Sequence, residues 1–225
     1  MQITGAVLEV SGAEKPFAQT RPLRVATLEL DPPQAGEVLV CIDAAGVCHS
    51  DLSVVDGNRV RPTPMLLGHE ASGIVEQVGD GVDDLAIGDR VVMTFLPRCG
   101  ECAGCRTDGR LPCEVGSAAN GAGTLVGGGI RLHGEAGGEV FHHLGVSGFA
   151  SHAVVSRTSV VKVDADVPAE IAALLGCAVL TGGGAVINAG RPASGERVIV
   201  VGLGGVGMAA LLVAVAEGHE GIGVD

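Results

Sequence analysis

The run Val198-Ile199-Val200-Val201-Gly202-Leu203-Gly204-Gly205-Val206-Gly207 sets an apolar strand against a glycine turn, and a helical stretch opens at Met208. The strand reading covers Arg197 to Val201 and the helix runs to about Glu217. Gly218 then stops the helix, and a second strand covers Ile222 to Asp225. This order is a βαβ unit. Gly202, Gly204, Gly205 and Gly207 permit a tight turn and close backbone approach, and a helix N-terminus there meets the charge of a pyrophosphate. Asp225 stands at about the twenty-residue distance expected of a carboxylate that accepts from an adenosine ribose. Such a carboxylate favours NAD, because it repels the 2'-phosphate of NADP. A glycine turn without a ligand is the competing reading.

Upstream, the pattern changes. Leu23 to Leu30, Glu37 to Ile42, Ser72 to Val78, Arg90 to Phe95 and Ala153 to Val163 are short runs rich in Val, Ile and Leu, separated by turn residues such as Asp31-Pro32-Pro33 and Gly79-Asp80-Gly81. Short strands punctuated in this way favour a barrel or a distorted sandwich. The glycine-rich stretch from Ala118 to Gly138 reads as a surface loop. Pro168 and Glu170 suit the first turn of a helix, with Ile171, Leu174 and Leu175 on one face. The domain boundary is therefore expected near 165–190.

Composition narrows the possible partners. The 225 residues carry 26 acidic and 14 basic side chains, a net charge of -12, and only 4 aromatic residues, all Phe. That charge repels phosphate backbones, and almost nothing is present for bases to stack on, so nucleic acid is a poor partner. At 47% hydrophobic and 18% charged, the chain lies far from the composition of disorder. Ile171 to Gly190 and Val198 to Ala216 are uncharged windows close to bilayer length, but glycines interrupt both, and membrane spans are not expected. No secretory signal is visible at the amino terminus, so a cytoplasmic, reducing location is expected, where clustered cysteines more often hold metal than form disulfides.

Cys99, Cys102, Cys105 and Cys113 have the spacing C-x2-C-x2-C-x7-C. Four thiolates so close, with Gly100 and Gly104 letting the chain turn back, can surround one ion tetrahedrally and leave no ligand position open. A structural zinc site is the reading; an iron–sulfur centre and buried unligated thiols are the competitors. Cys41, Cys48 and Cys177 are dispersed, and on residues alone Cys48 and His69 are more often packed core residues than ligands.

The motif Gly68-His69-Glu70-Ala71-Ser72-Gly73, followed by Gly79 and Val82, resembles the zinc signature of the medium-chain alcohol dehydrogenases. The cluster from Cys99 to Cys113 resembles that family's structural zinc loop, and Gly202 to Gly207 its coenzyme turn. The similarity is closest to the liver-type, zinc-dependent members.

The resemblance implies a mixed fold: a GroES-like β-barrel catalytic domain (α+β) over 1–178, followed by an incomplete α/β Rossmann coenzyme domain over 179–225. It makes Cys48, His69 and Cys177 catalytic zinc ligands, giving two zinc ions per chain with the four-cysteine site. An open fourth position lets zinc act as a Lewis acid on a substrate oxygen. Ser50 matches the hydroxyl that takes the alcohol proton, Asp51 the carboxylate that orients the His69 imidazole, and Glu70 a second carboxylate behind the ligands. His49 matches a contact to the coenzyme pyrophosphate, Thr181 a nicotinamide-side contact, and Gly202, Gly204, Gly205, Val206, Gly207 and Asp225 the remaining NAD contacts. Phe95 falls at a ring lining the substrate pocket, with core packing equally open for Phe95 and Thr181. Ser53 departs from the pattern, standing where liver-type enzymes often carry a proton-relaying histidine.

Cys41 reads as a buried hydrophobe, and His133, His142, His143, His152 and His219 as surface or loop residues. The activity implied is oxidation of a primary or secondary alcohol by hydride transfer to NAD, with small-molecule alcohols and aldehydes as partners. The glutathione-dependent formaldehyde dehydrogenase branch is an alternative, and a non-catalytic zinc-binding fragment is another. The family's nucleotide-binding sheet has six strands and carries its dimer contact. This chain is therefore expected to be truncated, with the activity and a homo-oligomeric state belonging to a full-length parent.

Overall fold

The computed structural model describes residues 1–225 and divides them into two compact units, Met1–Ala173 and Leu174–Asp225. The first unit is a β-structure of two sheets. Strands β1 (Gln2–Leu8), β2 (Leu23–Leu30), β4 (Met65–Leu66), β7 (Leu132–Gly134) and β8 (Glu139–His142) close into a barrel in the order β1-β2-β7-β8-β4. Strands β3 (Glu37–Gly46), β5 (Glu70–Val78), β6 (Arg90–Met93), β9 (His152–Ser156) and β10 (Val160–Lys162) form a second sheet in the order β10-β6-β5-β3-β9. Three short helices, α1 (Phe17–Thr20), α2 (His49–Val55) and α3 (Glu114–Ala122), connect them.

Strand β3, between β5 and β9, shows why the two sheets form one body. Val38 and Val40 enter one apolar cluster with Ala71, Val75 and Val91, while Leu39 enters another with Leu28, Leu66 and Val154. Strand side chains alternate between faces, so three consecutive apolar residues mean burial on both. The same antiparallel pairing puts Gly46 opposite Glu70, bringing the residues just beyond β3, Cys48 among them, to the start of β5.

The structure corrects two expectations here. Ala118 to Gly138 is not a surface loop: α3 runs to Ala122, Leu125 and Leu132 are 1% exposed, and β7 lies inside the range. Small residues made the segment look loop-like, but α3 is started by Cys113, whose sulfur accepts from Gly116 N–H at 3.3 Å. Arg131 from the same segment forms a bidentate pair with Glu37 at 2.9 and 2.8 Å, with both side chains at most 10% exposed. Such a pair is costly to break from one side.

The second correction is to His142 and His143, which are 1% and 0% exposed rather than superficial. The run from Ala153 to Val163 is also two strands, divided by a 3-10 turn at Arg157–Ser159. Strands β4, β7 and β8 are only two to four residues long, and their pairing partners make them.

The second unit takes up a helical run that begins in α4 (Ala169–Leu174) and continues through a π-turn at Leu175–Val179, α5 (Leu180–Gly184) and a π-turn at Ala185–Gly190. Then follow β11 (Arg197–Val201), α6 (Gly205–Ala216) and β12 (Glu220–Val224), with β11 and β12 parallel. By length and composition Ala169–Gly190 could cross a membrane. Within this unit, however, Gly182 lies so close to α6 that a Cβ there would stand 2.3 Å from the Val206 carbonyl oxygen. That is the packing of a core helix. Val198 and Val200 pack on Val186, Ala210 and Ala214, whereas Ile199 and Val201 on the other face are 64% and 81% exposed.

His142 ties stability to pH. Its Nε2 accepts the Arg131 backbone N–H at 3.0 Å, which requires the neutral ring. Burial, reinforced by the charges of Arg131 and His133, holds its pKa down to about 3, against about 6.5 in an unfolded chain. The unfolded state therefore takes the proton first. The stability contributed is complete above about 6.5 and is lost as pH falls toward 3, by at most about 1.4 kcal/mol per pH unit. Urea unfolding between pH 7 and 4 is expected to show the midpoint falling with pH, and His142→Gln to flatten that dependence.

Candidate metal centres and coenzyme turn

The four-cysteine lobe is assembled by backbone amides that point at sulfur. Cys99 N–H donates to the Cys113 sulfur at 3.3 Å, and Cys102 N–H to the Cys99 sulfur at 3.4 Å. Cys105 and Glu114 N–H both donate to the Cys102 sulfur at 3.4 Å. These contacts favour thiolates. The Cys105 and Glu114 amides lower the Cys102 pKa to about 6. Burial would raise Cys113, but the Gly116 and Cys99 amides outweigh it and its pKa is lowered.

All four sulfurs lie within 4.8 Å of one another, with Cys99 to Cys105 and Cys102 to Cys113 each 3.9 Å apart. A zinc tetrahedron with bonds of about 2.3 Å has edges of about 3.8 Å. The lobe therefore fits one ion; the several-atom core of an iron–sulfur cluster needs sulfurs set wider.

The second constellation is organised by Asp51. Burial would raise the pKa of this carboxyl, but hydrogen bonds from His143 and His69 outweigh that and hold it far below the usual carboxylate range. Asp51 Oδ1 accepts the Gly68 N–H at 3.1 Å and Oδ2 the Cys48 N–H at 3.1 Å. His69 Nδ1 lies 3.2 Å from Oδ1, and His143 Nδ1 lies 3.1 Å from the same oxygen. One 3% exposed carboxylate thus joins α2 to the turn before β5. Gly68 makes the turn possible, with φ +91° and no room for a Cβ, which would stand 2.5 Å from Phe149 N.

With Nδ1 committed to Asp51, His69 has Nε2 for a metal. Cys48, His69 and Glu70 each present a ligand atom within 4.8 Å of the others. Burial would raise the Cys48 pKa, but the Ser50 backbone N–H, the His69 charge and the Ser50 hydroxyl lower it. Ser50 is thus placed against the Cys48 sulfur by the first turn of α2. The ring of Phe95 stands edge-on to His69, with centroids 5.8 Å apart at 88°. Thiolate, imidazole and carboxylate suit a zinc-type divalent ion. His143 is the residue that sequence reasoning missed: it lies in no motif, and only the fold brings it to Asp51.

Ser53 donates to the His49 carbonyl at 2.9 Å, and its hydroxyl lies 3.2 Å from His49 Nδ1, so it is engaged with an exposed neighbour. In the second unit, Cys177 is buried in the π-turn Leu175–Val179 and Thr181 is exposed. The coenzyme turn has the predicted strand, glycine turn and helix. Gly207 is packed on the turn itself, since a Cβ there would stand 1.8 Å from the Gly202 carbonyl oxygen. Gly204 caps α6, while Gly205 and Val206 begin it, leaving early amides available to an anion. Asp225 accepts the Leu203 N–H at 3.0 Å and thereby sits beside the turn.

Residues 34–165 match the alcohol dehydrogenase GroES-like domain family. The chain belongs to the zinc-type medium-chain alcohol dehydrogenase family. Alcohol dehydrogenase B of Mycobacterium tuberculosis is 42% identical over 200 residues, which cover 88% of this chain and 53% of the relative. The alcohol dehydrogenase zinc-binding domain protein of Burkholderia ambifaria aligns with a TM-score of 0.91 at 36% identity, over 100% of this chain and 59% of that one. Benzyl alcohol dehydrogenase of Acinetobacter calcoaceticus aligns at 0.86 and 36%, with the same coverage. The chain spans a little over half the length of these alcohol dehydrogenases.

Two outcomes test the centres. Cys102→Ser is expected to lose one equivalent of tightly held zinc, counted by elemental analysis after gel filtration. Asp51→Asn is expected to weaken zinc at the His69 centre by about 10–100-fold, read by competition with a chelating dye.

Proposed function

We propose that this chain carries the metal-binding part of an NAD-dependent, liver-type alcohol dehydrogenase, which oxidises a primary or secondary alcohol to an aldehyde or ketone. The observation that carries the reading is the Ser50 hydroxyl on the Cys48 sulfur, next to an imidazole whose Nδ1 is held by Asp51. A proton acceptor therefore stands beside a ligand set.

The family pattern assigns Cys177 as the third ligand with Cys48 and His69, and a second zinc to Cys99, Cys102, Cys105 and Cys113. When bound, the zinc at His69 supplies Lewis acidity to the alcohol oxygen, and NAD accepts the hydride. Ser50 takes the hydroxyl proton of the substrate. Asp51 keeps Nδ1 of His69 protonated and its ring fixed, and Glu70 adds negative charge beside the ligands. Phe95 lines the substrate side of His69. His49 and Thr181 contact the coenzyme, and Gly202 to Gly207 seat its pyrophosphate at the start of α6. Asp225 accepts from the adenosine ribose, which selects NAD. The thiol-rich lobe fits a reducing, cytoplasmic compartment.

The test is NADH formation from an alcohol by a protein that carries this chain at the full length of its relatives. Ser50→Ala is expected to lower kcat by about 10²–10⁴, with zinc content unchanged. Wild-type turnover in that variant removes Ser50 from the reaction. Retained zinc with no turnover in the parent returns the reading to a non-catalytic zinc protein.

A further inference from the structure

We propose a third metal site, separate from both centres above, formed by Cys41, Glu76 and His152 on the five-stranded sheet and suited to a zinc-type divalent ion. Their ligand atoms lie within 4.8 Å of one another, and each comes from a different strand. The register explains the convergence. Cys41 of β3 pairs directly with His152 of β9 on one side and with Ile74 of β5 on the other. Glu76 lies two residues beyond Ile74 on β5. The ladder slips at this point, because Leu39 pairs with Gln77 while Val40 pairs with Val75, so Glu76 is the extra residue of a bulge. Bulges re-aim a side chain out of the regular ladder.

The His152 ring is already oriented. Its Nδ1 lies 3.1 Å from the Ser151 hydroxyl, which also accepts the Thr4 N–H at 3.3 Å. An oxygen with two lone pairs can accept both, and the tautomer with the proton on Nδ1 leaves Nε2 bare. Nε2 lies 3.4 Å from Glu76 Oε2, close to the separation of two ligands on one ion. The Cys41 thiol is raised by burial first and by the charges of Glu76 and Asp43 next; a divalent cation would offset those two charges and favour the thiolate. The Glu76 side chain is 44% exposed, so an ion can enter from solvent. One thiolate, one imidazole and one carboxylate leave a fourth position to water or to an outside ligand. Bound metal releases the thiol proton, so affinity rises with pH.

The test compares the whole chain with Cys41→Ser, none of the three side chains belonging to the centres above. Each protein is stripped with chelator, titrated with cobalt, and read by its thiolate-to-cobalt charge-transfer absorption and by metal content after gel filtration. Wild type is expected to hold one equivalent more than Cys41→Ser and to show the corresponding extra absorption. His152→Ala is expected to lose the same equivalent, and Glu76→Gln to weaken it about 10-fold or more. Circular dichroism matching wild type in His152→Ala guards against a folding defect at Cys41. Equal metal content and identical cobalt spectra in wild type, Cys41→Ser and His152→Ala overturn the site. Because the reading is a difference, it does not depend on how many ions the other centres hold.

Discussion

A single buried carboxylate, that of Asp51, sets the geometry on which the reactive part of the first unit depends. It accepts backbone N–H groups from Cys48 and Gly68, and it faces the rings of His69 and His143. Burying an anion is expensive unless its oxygens are satisfied, and here the Cys48 and Gly68 amides and the His69 ring converge on two oxygens, with His143 Nδ1 3.1 Å away. The same contacts that make the charge tolerable hold a thiol and an imidazole in place. The carboxylate thus links α2 to the turn before β5 and makes a rigid ligand pair from residues twenty-one positions apart in sequence.

The four-cysteine lobe solves a different problem. Its ligands are local, and amides of the lobe and of the α3 N-terminus point at the sulfurs. A closed tetrahedron of thiolates has no open ligand position, whereas Cys48 and His69 are brought together from separate elements by the Asp51 carboxylate. One cluster is thus local and the other is assembled across the fold, with Ser50 beside the Cys48 sulfur. Across β3 and its neighbours, Cys41, Glu76 and His152 bring a third set of thiol, carboxylate and imidazole atoms within 4.8 Å of one another.

Much of this was legible in the sequence because the chemistry sits in short motifs. The spacing of Cys99 to Cys113 suggested four sulfurs around one ion, and they lie within 4.8 Å of one another; Val198 to Gly207 with the run from Met208 suggested a strand, a turn and a helix. The family pattern placed Asp51 against His69, which the structure shows at 3.2 Å. What escaped was non-local. His143 reaches Asp51 only because the β8 end of the barrel folds onto α2, and no periodicity announces that. Arg131 lies in a glycine-rich stretch of loop-like composition, and only the fold brings Glu37, ninety-four positions away, against it. Strand β4 is two residues long and exists because β1 and β8 flank it. Cys41 and His152 seemed unrelated because their register, and the bulge at Glu76, are properties of the assembled sheet.

The most direct test of the account is a crystal structure of the zinc-loaded protein with anomalous data collected at the zinc edge. One peak is expected enclosed by the sulfurs of Cys99, Cys102, Cys105 and Cys113, and a second within bonding distance of His69 Nε2 and the Cys48 sulfur. A map with no peak at His69 in fully loaded protein, while the four-cysteine peak is present, would contradict it.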